Sequence, residues 1–107
     1  MYNLTDLNFS EKMIFNYHNI LRCPNDKIGV YIFRRKNFIL YIGRTTEQSI
    51  KDRLSNHMND CHNQCLKNWI LSSLELNFNF YLLSKKSSII ELEENLIRKY
   101  NPSCNVR

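Results

Sequence analysis

Apolar residues recur with a two-residue period in residues 28–34 and 38–43, IGVYIFR and FILYIG. Both runs are rich in β-branched and aromatic side chains, and a short basic turn separates them, so they predict a hairpin. With a three-residue turn of Arg35, Lys36 and Asn37, Tyr31 would stand opposite Tyr41 and Gly29 opposite Gly43. Val30, Ile32, Leu40 and Ile42 would then share the other face, leaving two tyrosines beside open glycine backbone that a ligand could approach. A turn of even length would separate the tyrosines. A third strand is predicted where Phe78, Phe80 and Leu82 alternate with Asn79, Tyr81 and Leu83.

Elsewhere the period is helical. Ser10 can cap a helix over residues 10–22 with Met13, Tyr17, Ile20 and Leu21 on one side, before Pro24, Asn25 and Asp26 end it. Thr45 and Gln48 form a capping box for a second helix, whose inward stripe is Ile50, Leu54, Met58 and Cys61. Residues 63–76 place Leu66, Trp69, Ile70 and Leu74 at helical spacing, as a core helix with Trp69 used for packing. The last helix is bracketed by a Ser88/Glu91 capping box and by Pro102, with Ile89, Ile90, Leu96, Ile97 and Tyr100 on its apolar stripe. The predicted class is α+β: a small three-stranded antiparallel sheet flanked by helices, in the order α-β-β-α-α-β-α.

Two polar intrusions break these stripes. At about 100° per residue Glu93 falls inside the apolar stripe of the last helix, whereas Glu91 and Glu94 point away from it. A carboxylate facing a core is costly unless something pairs with it, so Glu93 marks either a buried ion pair or a metal or catalytic role. On the second helix Arg53 and His57 lie one turn apart, at the edge and the middle of the inward stripe, while Lys51, Asp52 and Asn56 look outward.

Composition narrows the picture without deciding it. A chain of 107 residues with 43% hydrophobic and 12% aromatic content supports one domain with a real core. Fifteen Lys and Arg against ten Asp and Glu give a net charge of +5, which suits a polyanionic partner. No basic stretch leads into a long apolar run and no segment approaches a membrane span, so an intracellular, soluble protein is expected, cytoplasmic or, in a eukaryotic host or virus, nuclear. Cys23, Cys61, Cys65 and Cys104 form neither a CxxC pair nor a dense framework and are expected as reduced thiols. A zinc site from His57, Cys61, His62 and Cys65 is a weaker alternative, since no second ligand pair stands at finger spacing.

Taken in order, these features resemble the GIY-YIG nuclease family. Gly29-Val30-Tyr31 stands for the first motif and Tyr41-Ile42-Gly43 for the second. Arg44 is the basic residue after it, and Arg53 with His57 resembles the catalytic arginine and its helical partner. Glu93, Leu96, Ile97, Tyr100, Pro102 and Asn105 match the C-terminal signature. Val30 replaces an isoleucine, and His57 is a tyrosine in other branches, the excision-repair nuclease subunit among them. The resemblance covers residue 28 to the end, implying a nuclease-like domain over 28–107 after an N-terminal helical extension over 1–27.

What the resemblance implies is metal-dependent hydrolysis of phosphodiester bonds in DNA, RNA being open as well. Glu93 would hold a single Mg²⁺ or Mn²⁺, a hard cation that keeps several waters as ligands. Arg53 would clamp the phosphate with a two-pronged hydrogen bond. Tyr41 is favoured as base or water-positioner, with Tyr31 orienting it or binding phosphate and His57 assisting proton transfer. Arg34, Arg35, Lys36, Arg44 and Lys51 would track phosphates around the mouth, with Asn105 fixing the site or touching substrate. With no room for a second domain, sequence preference is expected to be low or structure-dependent, or to be supplied by a homodimer or a protein partner. The alternative is a catalytically silent nucleic-acid-binding module on the same scaffold.

Overall fold

The computed structural model describes Leu4 and residues 7–105. The remaining residues of the two expected segments, 1–3, 5, 6, 106 and 107, lie outside the described part. The chain runs β1 (Met13–Ile14), α1 (Tyr17–Leu21), β2 (Gly29–Arg35), β3 (Phe38–Thr45), α2 (Ile50–Asp60), α3 (Gln64–Leu71), β4 (Asn77–Leu82), α4 (Lys86–Tyr100) and a 3-10 turn, Ser103–Asn105. The four strands form one antiparallel sheet in the order β1-β4-β2-β3.

Burial on both faces explains why β2 reads GVYIF. Val30 and Ile32 pack with Ile42 of β3 against Ile89, Leu92 and Leu96 of α4. Tyr31 and Phe33 point the other way, into a core built with Phe15, Ile20, Ile50, Leu54, Leu66 and Phe78. The α+β class holds, but with four strands where three were expected. β1 is the addition, and residues 10–22 are not one helix. Ser10 donates its N–H to the Phe80 carbonyl, Met13 pairs with Phe78, and Phe15 N–H reaches the Leu76 carbonyl. An open edge of β4 offers these residues backbone partners that a helix would have to forgo. Only Tyr17–Leu21 is helical, capped by the side chain of Asn16, and it leaves Tyr17 and Leu21 exposed.

The hairpin register also differs from expectation. Arg35 pairs with Phe38 across a two-residue turn in which Lys36 takes the left-handed conformation, with φ 56°. A bulge then shifts the pairing, so that Arg34 faces Ile39 while Phe33 faces Tyr41. The skipped residue is Leu40, which joins the Tyr31 core and not the Val30 face. The even turn and the bulge compensate, returning Tyr31 and Tyr41 to one side of the sheet. Gly29 is opposite Thr45, and Gly43 is opposite Tyr31. A Cβ on Gly43 would overlap the Tyr31 ring, so this glycine makes room for a tyrosine and leaves no open backbone for a ligand.

Helix ends move as well. Ser49, and not Thr45, caps α2 by accepting from the Asp52 N–H, while Thr45 ends β3 and donates to the Gln48 carbonyl. Ser88 lies inside α4, which begins at Lys86 without a side-chain cap. At the far end Asn101 adopts the left-handed conformation and donates its N–H to Ile97 before Pro102. Ser103–Asn105 then folds back along β3, where Cys104 forms a disulfide with Cys65 in the first turn of α3, the two Cα atoms 5.2 Å apart. That overturns the expectation of four reduced thiols: only Cys23 and Cys61 are free. No described helix is long and apolar enough to cross a membrane.

Candidate active site

On the α2 side of the sheet Tyr31, Tyr41 and His57 converge. Tyr31 comes from the central strand and is fully buried, and its hydroxyl lies 2.7 Å from His57 Nε2. The other ring nitrogen of His57, Nδ1, lies 3.3 Å from Cys61 Sγ, one helical turn further on. Cys61 sends its own S–H toward the Asn63 carbonyl at 3.6 Å, so its sulfur lone pair is what remains for His57. Nδ1 therefore carries the hydrogen and Nε2 accepts from the Tyr31 hydroxyl. From the sequence Cys61 was expected on the inward stripe of α2 or, with His57, in a zinc site; the structure instead makes it the hydrogen-bond partner of His57. Asn63 extends the line, capping α3 with its amide oxygen and donating to the Cys104 carbonyl.

Burial sets the protonation of this group. It lowers the His57 pKa from 6.5 to about 4, with the Arg53 charge adding to the effect, so His57 is neutral at pH 7. Burial pushes the Tyr31 phenol up, against the pull of Arg53. The Tyr41 phenol is raised by the same cause, while Arg53 and the Tyr31 hydroxyl oppose the shift. Tyr41 is the tyrosine with an outlet: its ring centroid is 6.3 Å from that of Tyr31 and 5.9 Å from that of His57. It lines a depression of about 330 Å³ together with Arg53, Asn56, His57, Asp60, His62 and Asn63.

Glu93 stands on α4, which packs on the opposite face of the sheet from Tyr31. It is 8% exposed, and its Oε1 accepts from Arg44 Nη1 at 2.8 Å. Its negative charge adds a smaller upward push to that of burial on both phenols. Glu91 and Glu94 are exposed, as the helical period requires. The Asn105 amide grips β3 with both ends, accepting from the Ile42 N–H at 2.8 Å and donating to the Ile42 carbonyl at 2.9 Å. Of the two expected roles, fixing the site or touching substrate, these bonds give it the first, as the clasp of the edge strand.

The basic cluster expected at the mouth is dispersed. Arg35 and Lys36 sit at the hairpin tip, Arg34 is tied to Asn79, and Arg44 is tied to Glu93. Lys51 lies about 200° around α2 from Arg53, with its N–H on the Pro24 carbonyl and its charge acting on Cys23. The zinc alternative loses Cys65 to the disulfide, and His62 is exposed. No cluster of three or more His, Cys, Asp or Glu residues suited to a metal occurs among the described residues.

The model of the UvrC-like GIY-YIG domain matches residues 27–106. The chain belongs to that family. Among its relatives are UvrABC system protein C of Fusobacterium nucleatum, 31% identical over 78 residues, and that of Methanothermobacter thermautotrophicus, 36% identical over 83 residues. Those stretches are 73% and 77% of this chain but 13% and 14% of the relatives' lengths, so the chain corresponds to a small part of each. The crystal structure of the GIY-YIG N-terminal endonuclease domain of UvrC from Thermotoga maritima, bound to its catalytic divalent cation, magnesium, is similar to this fold. Its TM-score is 0.66 at 27% identity, over 83% of this chain and 93% of that one.

The donor set here fits such a group. Glu93, the one buried carboxylate among the described residues, offers a hard oxygen ligand, which suits a small divalent cation that retains its waters. The Arg44 guanidinium supplies the positive charge beside Glu93 in this structure.

Proposed function

We propose that this GIY-YIG domain is a metal-dependent endonuclease that hydrolyses phosphodiester bonds in DNA, with low or structure-dependent sequence preference. The observation that carries the reading is Glu93: a carboxylate only 8% exposed, set on α4 where its charge bears on both motif tyrosines. Glu93 would hold one Mg²⁺ or Mn²⁺. When bound, the cation would supply Lewis-acid stabilisation of charge on the phosphate and the leaving oxygen. Arg53, half-buried at the depression, would bind the phosphate through its planar fork.

Tyr41 would position the attacking water. With its phenol raised by burial, it is protonated at neutral pH and works as a hydrogen-bonding guide before it works as a base. Behind it Tyr31 gives its hydrogen to His57, whose neutral Nε2 is the acceptor at the end of the line. We further assign residues 28–107 to the nuclease domain and 1–27 to an extension that adds an edge strand to it. Specificity would come from a protein partner or a second copy, and an enzyme acting on DNA would work inside the cell.

One observation favours the second reading, a silent nucleic-acid-binding module: Arg44 already pairs with the carboxylate that would hold the metal. Cleavage of supercoiled plasmid and of labelled single-stranded, duplex and branched oligonucleotides separates the two, run with Mg²⁺, Mn²⁺ or EDTA. Cutting that needs the metal, disappears in Glu93→Gln and persists in Glu91→Ala is the expected result. Binding without cutting in every metal would select the silent module, and equal cutting by Glu93→Gln would remove Glu93 from the site.

A further inference from the structure

A second depression lies apart from the one over Tyr41. It measures about 610 Å³ and opens between the hairpin tip, α3 and the end of α4, lined by Arg35, Phe38, Leu40, Trp69 and Tyr100 with Asn and Ser residues between them. Three aromatic rings from three separate elements converge there. Phe38 is 71% exposed, at a cost that packing within this domain does not explain. Trp69, read from the sequence as core, is only half-buried and presents part of its ring to the groove. The surroundings are cationic: Arg35 lines the groove, Lys36 adjoins it on the turn, and Lys99 Nζ stands 5.6 Å from the centre of the Tyr100 ring. No carboxylate is among the lining residues.

We propose that this groove binds unpaired bases of a single-stranded nucleic acid, which stack on Phe38 and Trp69 while Arg35 and Lys36 meet the flanking phosphates. Flat apolar rings interleaved with cations and free of acids fit a strand whose bases are apolar on their faces and whose backbone is anionic. Continuity with the candidate active site supports the same occupant. Leu40 lines the groove and the adjoining Tyr41 lines the catalytic depression, both on the Tyr31 side of the sheet because of the bulge. A strand laid across Tyr41 would continue along β3 into the groove. The proposal rests on the nuclease reading only for the path of the strand, and it assigns the substrate an unpaired segment beside the bond to be cut.

Trp69 is the sole tryptophan of the chain, so its emission reports on the groove directly. The full chain is titrated in EDTA, where no metal-dependent cutting intervenes, with an oligothymidylate and with an abasic strand of the same length. Saturable quenching by the oligothymidylate, weaker binding of the abasic strand, and about tenfold weaker oligothymidylate binding by Phe38→Ala are expected. Phe38 is exposed, so this variant keeps the fold, which circular dichroism verifies. Unchanged emission, equal binding of the two strands, or full-strength binding by Phe38→Ala would overturn the proposal. So would a dimer that forms without nucleic acid and dissolves in Phe38→Ala, since the groove would then belong to a second copy. A chain that quenches as expected but cuts nothing with Mg²⁺ loses the nuclease reading and keeps the groove.

Discussion

His57 shows how one side chain can be read for position from sequence and for state only from its neighbours. Its place on the inward stripe of α2 followed from the helical period, but its protonation depends on burial and on Arg53, and its tautomer on Tyr31 and Cys61, which arrive from different distances along the chain. The pKa of about 4 lies below the ordinary 6.5, so between these values the unfolded chain binds more protons at this site than the folded one. Stability is then fully retained above pH 6.5, falls as the pH drops toward 4, and levels off below it. The loss from this residue amounts to about 3 kcal/mol. Urea denaturation of the wild type and of His57→Gln across that window should show the wild type losing more stability than the variant. Parallel curves would mean that His57 does not carry the difference. Glu93 was the more legible residue, because a long helix with a clear stripe makes a misplaced carboxylate visible without any tertiary information.

At the scale of elements, what the sequence revealed depended on whether a segment's partners were local. The β2–β3 hairpin and α4 were readable because their patterns are long and their contacts close in sequence. Residues 10–15 were not, because an apolar spacing that suits a helix also suits an edge strand, and the open side of β4 decided between them. The bulge at Leu40 was equally hidden, since it is a matter of how β3 pairs with β2 and not of the pattern along either strand. The far edge of β3 is closed by Asn105, whose amide imitates a neighbouring strand at Ile42. Asn105→Ala removes both hydrogen bonds and should cost about 1–3 kcal/mol, with weakened amide-exchange protection at Ile42. Thermal melts together with hydrogen exchange check this. A variant that melts like the wild type would show that the strand edge does not need its clasp.

For the molecule as a whole, the C-terminal turn matters more than its three residues suggest. The Cys65–Cys104 bridge spans 39 positions and fastens α3 to the turn that carries Asn105, so α3, the turn and β3 form a continuous tie beside the Tyr41 depression. Neither cysteine belongs to a local motif, and only the folding back of the chain after Pro102 brings them together, which is why spacing alone suggested free thiols. Closing a loop of that length restricts the unfolded chain, and its release should cost about 4 kcal/mol. A reductant should therefore lower the melting temperature of the wild type. Cys65→Ser, in which the exposed partner is replaced, should melt low from the start and respond no further to reductant. If reductant lowered both proteins equally, the bridge would not be what holds the turn, and Asn105 with the buried Cys104 would have to hold it by packing and hydrogen bonding alone.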